Sequence, residues 1–362
     1  MTLAMGAPLA VFRADAAPEL GGGHVMRCLA LAQALGESGW LSVFAGGPQT
    51  IETVPAISRM GHAWIELSGG AESEPAALES ALGRPCDLLV VDHYGRGADF
   101  ETACRKFARQ VLSMDDEPNR AHDCDLLLDP APGASAERYA GLVPPRCVLL
   151  IGPNYALLRR QFAQARPAAL ARRQPGHDVA RIFVGMGATD PAGLTVTVLK
   201  GILAAQTDAV VDVVLGAASP HLADVQAVLA SFGGKLRIHV DASDVAALMA
   251  AADLAVGAGG TSSFERCCLG LPTLTVIAAE NQRRNAQAFA AAGAAVLLGD
   301  GSTLTAATVA AALRPLLADG PRRAALSSNA AALCDGQGAL RVVRELVGRQ
   351  GHEARNPRGA RR

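Results

Sequence analysis

Aromatic side chains are scarce, 4% of the 362 residues, while alanine and glycine abound, so close packing of helices on sheets must build most of the core. No run of about 20 apolar residues occurs, and no basic residues precede the short apolar stretch near the N-terminus. The expectation is a cytoplasmic protein without a spanning helix or secretory leader. Formal net charge is −1, which gives no basis for a nucleic-acid or anionic-membrane partner. Cys28, Cys86, Cys104, Cys124, Cys147, Cys267, Cys268 and Cys334 form no CxxC or other metal-ligand spacing, so reduced, mostly buried thiols are expected. Half of the chain is apolar, and its length is that of about two domains, each able to bury a core.

What is abundant is glycine at the ends of apolar runs. The central case is Gly257 to Leu271. The run 252–256 reads as a short buried strand, Ser263 to Leu269 as a helix and Thr273 to Ile277 as the next strand. A glycine turn therefore feeds a helix start, where unpaired backbone N–H groups attract phosphate. Gly259 and Gly260 allow close approach, Thr261 and Ser262 add hydroxyl donors, and Glu265, one turn on, suits two ribose hydroxyls. A glycine turn that merely links strand and helix has the same pattern.

Two further units share this plan. Residues 9–12 read as a strand that enters a loop ending in Gly21-Gly22-Gly23, and a helix follows from about His24 to Glu37. GxGxxG fails at its third glycine, so this is no dinucleotide fingerprint. His24 sits at the helix start, where the local positive potential favours neutral imidazole, a form suited to a general base. A packing or capping histidine is the bland alternative. Residues 179–184 read as the third strand, followed by Gly185 to Pro191 and a helix from about 193 to 206.

The strand 86–91 ends in Asp92-His93-Tyr94-Gly95, and strand ends of open parallel sheets are where ligands sit. Asp92 as a turn cap and Tyr94 as a packing residue remain alternatives. Asp115-Asp116-Glu117 closes the strand 109–114; adjacent carboxylates with no ligand-spaced partner read as a solvated or sugar-contacting loop, not a metal site. Asn281 and Gln282, after the strand 273–277, offer donor and acceptor together, which suits hydroxyl or N-acetyl groups. Residues 164–178 read as a linker and 349–362 as a basic disordered tail. The expected architecture is α/β: Rossmann-like lobes over 1–163 and 179–348, with parallel sheets around an interdomain cleft.

Arg13-Ala14-Asp15-Ala16 with Gly21 to Leu29, Asp92 to Gly95, Asp115 to Glu117, Cys124 to Leu128, Gly152 with Tyr155 to Arg159, Met186 to Asp190, and Ala258 to Ser262 with Glu265 follow one another in a familiar order. Together they resemble the UDP-2,4-diacetamido-2,4,6-trideoxy-β-L-altropyranose hydrolases of pseudaminic acid biosynthesis. The resemblance covers about residues 9–290. It implies a two-lobed GT-B fold, UDP held by the C-terminal lobe, and metal-independent hydrolysis at the anomeric carbon with inversion and no cofactor. It assigns water activation to His24; Asp15 is then expected to orient that ring and Tyr94 to position sugar or water. Substrate contacts would come from Arg13, Gly23, Asp92, His93, Gly187, Thr189, Asp190, Val240 beside uracil, Gly259, Gly260, Thr261, Ser262, Glu265, Asn281 and Gln282. Ala17, Ala188, Gly193 and Phe264 depart from the serine, glycine, asparagine and tryptophan usual at those places. A GT-B glycosyltransferase and a non-catalytic UDP-sugar binding protein are the competing readings. The oligomeric state is not legible.

Overall fold

Long apolar runs with few polar interruptions form strands buried on both faces, as parallel sheets require. The computed structural model describes residues 6–173 and 178–355. The N-terminal sheet holds β1 (Leu9–Ala14), β2 (Leu41–Gly46), β3 (Ala63–Glu66), β4 (Cys86–Asp92), β5 (Ala108–Met114), β6 (Leu126–Asp129) and β7 (Val148–Ile151), in the order β3-β2-β1-β4-β5-β6-β7. The second sheet holds β8 (Arg181–Gly185), β9 (Val210–Leu215), β10 (Leu236–Val240), β11 (Leu254–Ala258), β12 (Thr273–Ile277) and β13 (Val296–Asp300), in the order β10-β9-β8-β11-β12-β13. Every strand pairing is parallel, and each sheet carries apolar clusters on both faces.

Each order reverses direction once, between β1 and β4 and between β8 and β11. At such switch points the loops leaving neighbouring strands diverge and open a crevice at the carboxyl ends. The register sets Ala14 beside Asp92 in one lobe and Gly185 beside Gly257 in the other. The loops carrying His24, Tyr94, Gly187 and Gly259 therefore leave from the two crevices.

The expected boundaries need correcting. Most of the presumed linker is helical: Arg160–Arg172 forms a helix despite Pro167 inside it. Alanine, arginine, glutamine and leucine are good helix formers, and tertiary bonds override the proline. Arg166 donates to the Cys268, Ala331 and Cys334 carbonyls, and Arg173 to those of Met249, Ala250, Ala252 and Leu269. These are the carboxyl ends of three helices, where cations bind the otherwise orphaned carbonyls. The helix is thereby fastened to the C-terminal lobe. Residues 174–177 of the presumed linker lie outside the described residues.

The last helix, Gly338–Arg355, runs into the stretch expected to be disordered; residues 356–362 of that stretch lie outside the described residues. It also crosses back to the first lobe. Ala339, Val342, Val343 and Leu346, spaced as one helical face, share the apolar cluster of Val25, Leu29 and Phe12. Burying each of the larger side chains contributes about 1.5–3 kcal/mol. A Cβ at Gly338 would overlap the Ala156 carbonyl, so glycine lets the two crossing segments touch. The last helix, expected to close the C-terminal lobe, thus packs on the N-terminal one.

All eight cysteines are free, and Cys147 is the one that is not fully buried. No helix among the described residues is long and apolar enough to cross a membrane.

Candidate active site

His24 lies in the first turn of the helix Gly23–Gly36, which has no side-chain N-cap. Its Nδ1 is 2.6 Å from Asp92 Oδ1, at the end of β4. Arg27, one turn further along the helix, grips the same carboxylate from Nε and Nη2 at 2.6 Å each. Burial pushes the Asp92 carboxyl up, but the charges of Arg27 and His24 outweigh it and hold the group well below the usual range. An ionised carboxylate only accepts, so His24 Nδ1 carries the donated hydrogen. In the neutral ring, Nε2 then bears the lone pair, and it has no hydrogen-bond partner among the described residues. The Tyr94 ring packs edge-on against His24 at 5.0 Å between centroids, and its hydroxyl donates to Asp116 Oδ1 at 3.1 Å. Burial, followed by the Asp116 charge, pushes the Tyr94 phenol upward, which keeps it a donor.

Asp15 does not orient His24. Its carboxylate meets Arg13 Nη1 at 2.8 Å, His93 Nε2 at 3.1 Å and the Gly47 N–H at 2.8 Å. Asp15 follows β1 and points toward β2, whereas Asp92 closes β4 beneath the helix start. Two expected substrate contacts are likewise internal. Arg13 is 2% exposed and forks onto Glu74, and Asp92 is 1% exposed behind His24 and Arg27. His93 is half-buried, with Nδ1 accepting from the Gly95 N–H at 2.8 Å.

Across the cleft, a Cβ at Gly23 would sit 3.0 Å from Thr261 Oγ1, so the His24 helix start faces the glycine turn after β11. That turn leads into the helix Ser262–Cys268. A Cβ at Gly259 would lie 2.8 Å from the Ala286 Cβ, and one at Gly260 would lie 3.3 Å from Gln282 Nε2, so the turn packs tightly on the segment after β12. Glu265 Oε1 accepts from Arg159 Nη2 at 3.3 Å; burial pushes its carboxyl up and Arg159 opposes that. Phe264, in place of tryptophan, is buried edge-on against Phe289 and is a core residue.

The loop after β8 is partly self-bonded. Asp190 is buried and accepts from the Leu194 and Thr195 N–H groups at 3.0 and 2.9 Å, so it caps the helix Leu194–Ala205 rather than facing a ligand. Gly193 stands at that helix start with φ +64°, a conformation glycine and asparagine both tolerate. Gly187, at φ +102°, has open space where a Cβ would be, and Thr189 is buried. Val240 is 41% exposed at the end of β10. Gln282 Oε1 accepts from the Ala278 N–H at 3.3 Å, whereas the buried Oδ1 atoms of Asn281 and Asn285 have no partner. Those two amides line a cavity of about 250 Å³ with Asp116, Glu117 and Arg284. Arg284 spans the lobes, bonding the Asp116 carbonyl and approaching Asp129 Oδ2 at 3.5 Å. Burial pushes Asp129 up to about 6.

Asp116 and Asn285 lie in stretches read as sugar-contacting, whereas roles for Arg27, Arg159 and Arg284 escaped the sequence reading. Arg27 stands at i+3 from His24 and Asn285 at i+4 from Asn281, spacings that flag a shared helical face. The partners across the cleft had no such signal.

Residues 182–340 match the glycosyltransferase family 28 C-terminal domain. The chain is similar over 94% of its length to the solved structure of Acinetobacter baumannii MurG, with a TM-score of 0.64 at 16% identity and all of that chain covered. The chain has a GT-B fold, and its residues 182–340 are similar to the glycosyltransferase family 28 C-terminal domain. The solved UDP-GlcNAc 2-epimerase of Neisseria meningitidis shares the fold, with a TM-score of 0.62 at 12% identity over 94% of this GT-B chain and all of its own. Among curated proteins, the UDP-2,4-diacetamido-2,4,6-trideoxy-β-L-altropyranose hydrolase of Campylobacter jejuni is 29% identical over 240 residues, 66% of this chain and 80% of its own. The spore coat polysaccharide biosynthesis protein SpsG of Bacillus subtilis is 27% identical over 339 residues, 91% of this chain and 95% of its own.

Proposed function

We propose that this GT-B protein hydrolyses UDP-2,4-diacetamido-2,4,6-trideoxy-β-L-altropyranose to UDP and the free sugar, with neither metal nor cofactor. The observation that carries the reading is the Arg27–Asp92–His24 set, whose free Nε2 stands at a helix start facing the glycine turn of the other lobe. A ring nitrogen held in one tautomer by a buried carboxylate is suited to take a proton from water. In the reaction, the water oxygen bonds to the anomeric carbon and its proton passes to Nε2. The bond from that carbon to the diphosphate oxygen breaks, and UDP leaves with the electron pair. Tyr94 lines the same space. The Gly259–Ser262 turn would receive the diphosphate, the free oxygen of Glu265 the ribose and Val240 the uracil. The unpartnered amide oxygens of Asn281 and Asn285 suit acetamido N–H groups. The Campylobacter relative's name supports this choice of sugar.

His24→Ala should lower kcat at least about tenfold, since general-base help is typically worth ~10²–10⁴-fold, while leaving UDP affinity nearly intact. A variant with full turnover sinks the assignment. A glycosyltransferase is the second reading, favoured by the match of the C-terminal lobe. It requires an acceptor before UDP is released, so UDP release without one discriminates the two.

A further inference from the structure

Arg266 is the most buried cation of the C-terminal lobe's glycine turn, 1% exposed, and no carboxylate pairs with it among the described residues. The adjacent Glu265 is engaged by Arg159. The Arg266 guanidinium instead donates to Ser262 Oγ at 2.9 Å, Ser263 Oγ at 2.9 Å and the Ala258 carbonyl at 2.7 Å, and its buried Nε has no partner. Room is kept for it: a Cβ at Gly257 would lie 2.5 Å from Arg266 Nη1. Burial pushes the guanidinium down to about 10 even though Glu265 acts on it through its charge without a bond, so the buried charge is under-compensated in the free protein.

We propose that Arg266 is a buried counter-charge for the diphosphate of a nucleoside diphosphate, acting through the hydroxyls of the turn. This rests on the reading that the Gly259–Ser262 turn takes the diphosphate. A hydroxyl that accepts from Arg266 keeps its own hydrogen to donate. Ser263 spends that hydrogen on the Ala258 carbonyl at 3.3 Å, and Ser262 has no acceptor for it among the described residues. Ser262 is thus held as a donor toward whatever occupies the turn, with a positive charge directly behind it. An anion there supplies what the buried guanidinium lacks. Arg266 is a positioning residue, since it acts through Ser262 and through its field.

The test compares UDP, dTDP, CDP, GDP and inorganic pyrophosphate by calorimetry on the full chain, with thermal unfolding of the ligand-free protein alongside. Arg266→Met should bind UDP about ten- to a hundredfold more weakly, the range expected for hydrogen bonds involving a charged group. Its ligand-free melting temperature should match or exceed that of the unsubstituted protein, because an apolar side chain of similar length replaces an unpaired charge. Arg266→Lys should fall between the two in affinity. A purely structural arginine gives the opposite pattern, a lower melting temperature with UDP affinity within twofold, and that overturns the proposal. If Arg266→Met does not fold, Ser262→Ala decides: weakened UDP binding supports the proposal and unchanged binding overturns it. Should another nucleoside diphosphate bind in place of UDP with the same Arg266 dependence, the uracil reading fails and this one stands. No binding of any of the five overturns both.

Discussion

Asp92→Asn separates the pairing observed around His24 from the one expected from the sequence. The Asp92 carboxylate receives four donors on two oxygens: His24 Nδ1 and two nitrogens of Arg27, each at 2.6 Å, and the Cys28 thiol at 3.7 Å. An amide supplies one acceptor oxygen and one NH₂ in their place. If the oxygen stays with Arg27, the NH₂ faces His24 Nδ1 and turns the ring to the other tautomer, with the hydrogen on Nε2. That removes the lone pair from the nitrogen open to the cleft, and kcat should fall ~10²–10⁴-fold, the usual worth of general-base help. At least one charge-assisted bond is lost as well, a destabilisation of about 1.5–3 kcal/mol. A domain stable by roughly 5–15 kcal/mol remains folded after such a loss, so the turnover assay reads chemistry once circular dichroism has verified the fold. Asp15→Asn is the control, because it leaves the Asp92 set intact; it should keep kcat within about tenfold. Full turnover by Asp92→Asn, or an equal loss in Asp15→Asn, refutes the dyad.

Glu265→Ala should weaken UDP binding while leaving the His24 side of the cleft unchanged; equal UDP affinity by calorimetry removes the ribose role. His122 gives a pH prediction. It lies buried between Glu101 Oε1 at 2.8 Å and Asp115 Oδ2 at 3.1 Å. Burial pushes its pKa down, but bonds to Asp115 and Glu101 outweigh that and raise it to about 9. A histidine raised above its unfolded value, roughly 6.5, stabilises fully below that pH and loses the contribution as pH rises through about 9. The loss should be on the order of 3–4 kcal/mol, at ~1.4 kcal/mol per unit. His122→Gln should flatten the dependence of melting temperature on pH over this window, and an unchanged slope contradicts the ion-pair assignment.

Most strands and the glycine loops were legible because buried parallel strands are apolar runs that stop at glycine. The strands 236–240 and 273–277 match the structure at both ends. The helix 160–172 was not legible, since its proline and polar content read as a linker and its stability comes from arginines bonded to distant carbonyls. The return of the last helix to the first lobe is likewise a tertiary fact: its apolar face is visible in the sequence, but the surface it covers is not. At the site, residue types were legible and pairings were not. Asp15 and Asp92 close adjacent strands, and only the direction of each loop decides which carboxylate meets His24.

The central claim is UDP release by water. Its most direct test is proton NMR of the protein with UDP-2,4-diacetamido-2,4,6-trideoxy-β-L-altropyranose, EDTA present and no acceptor added. The account predicts prompt appearance of UDP and free sugar, the first-formed anomer being inverted. An intact substrate while UDP itself still binds contradicts hydrolysis of this sugar.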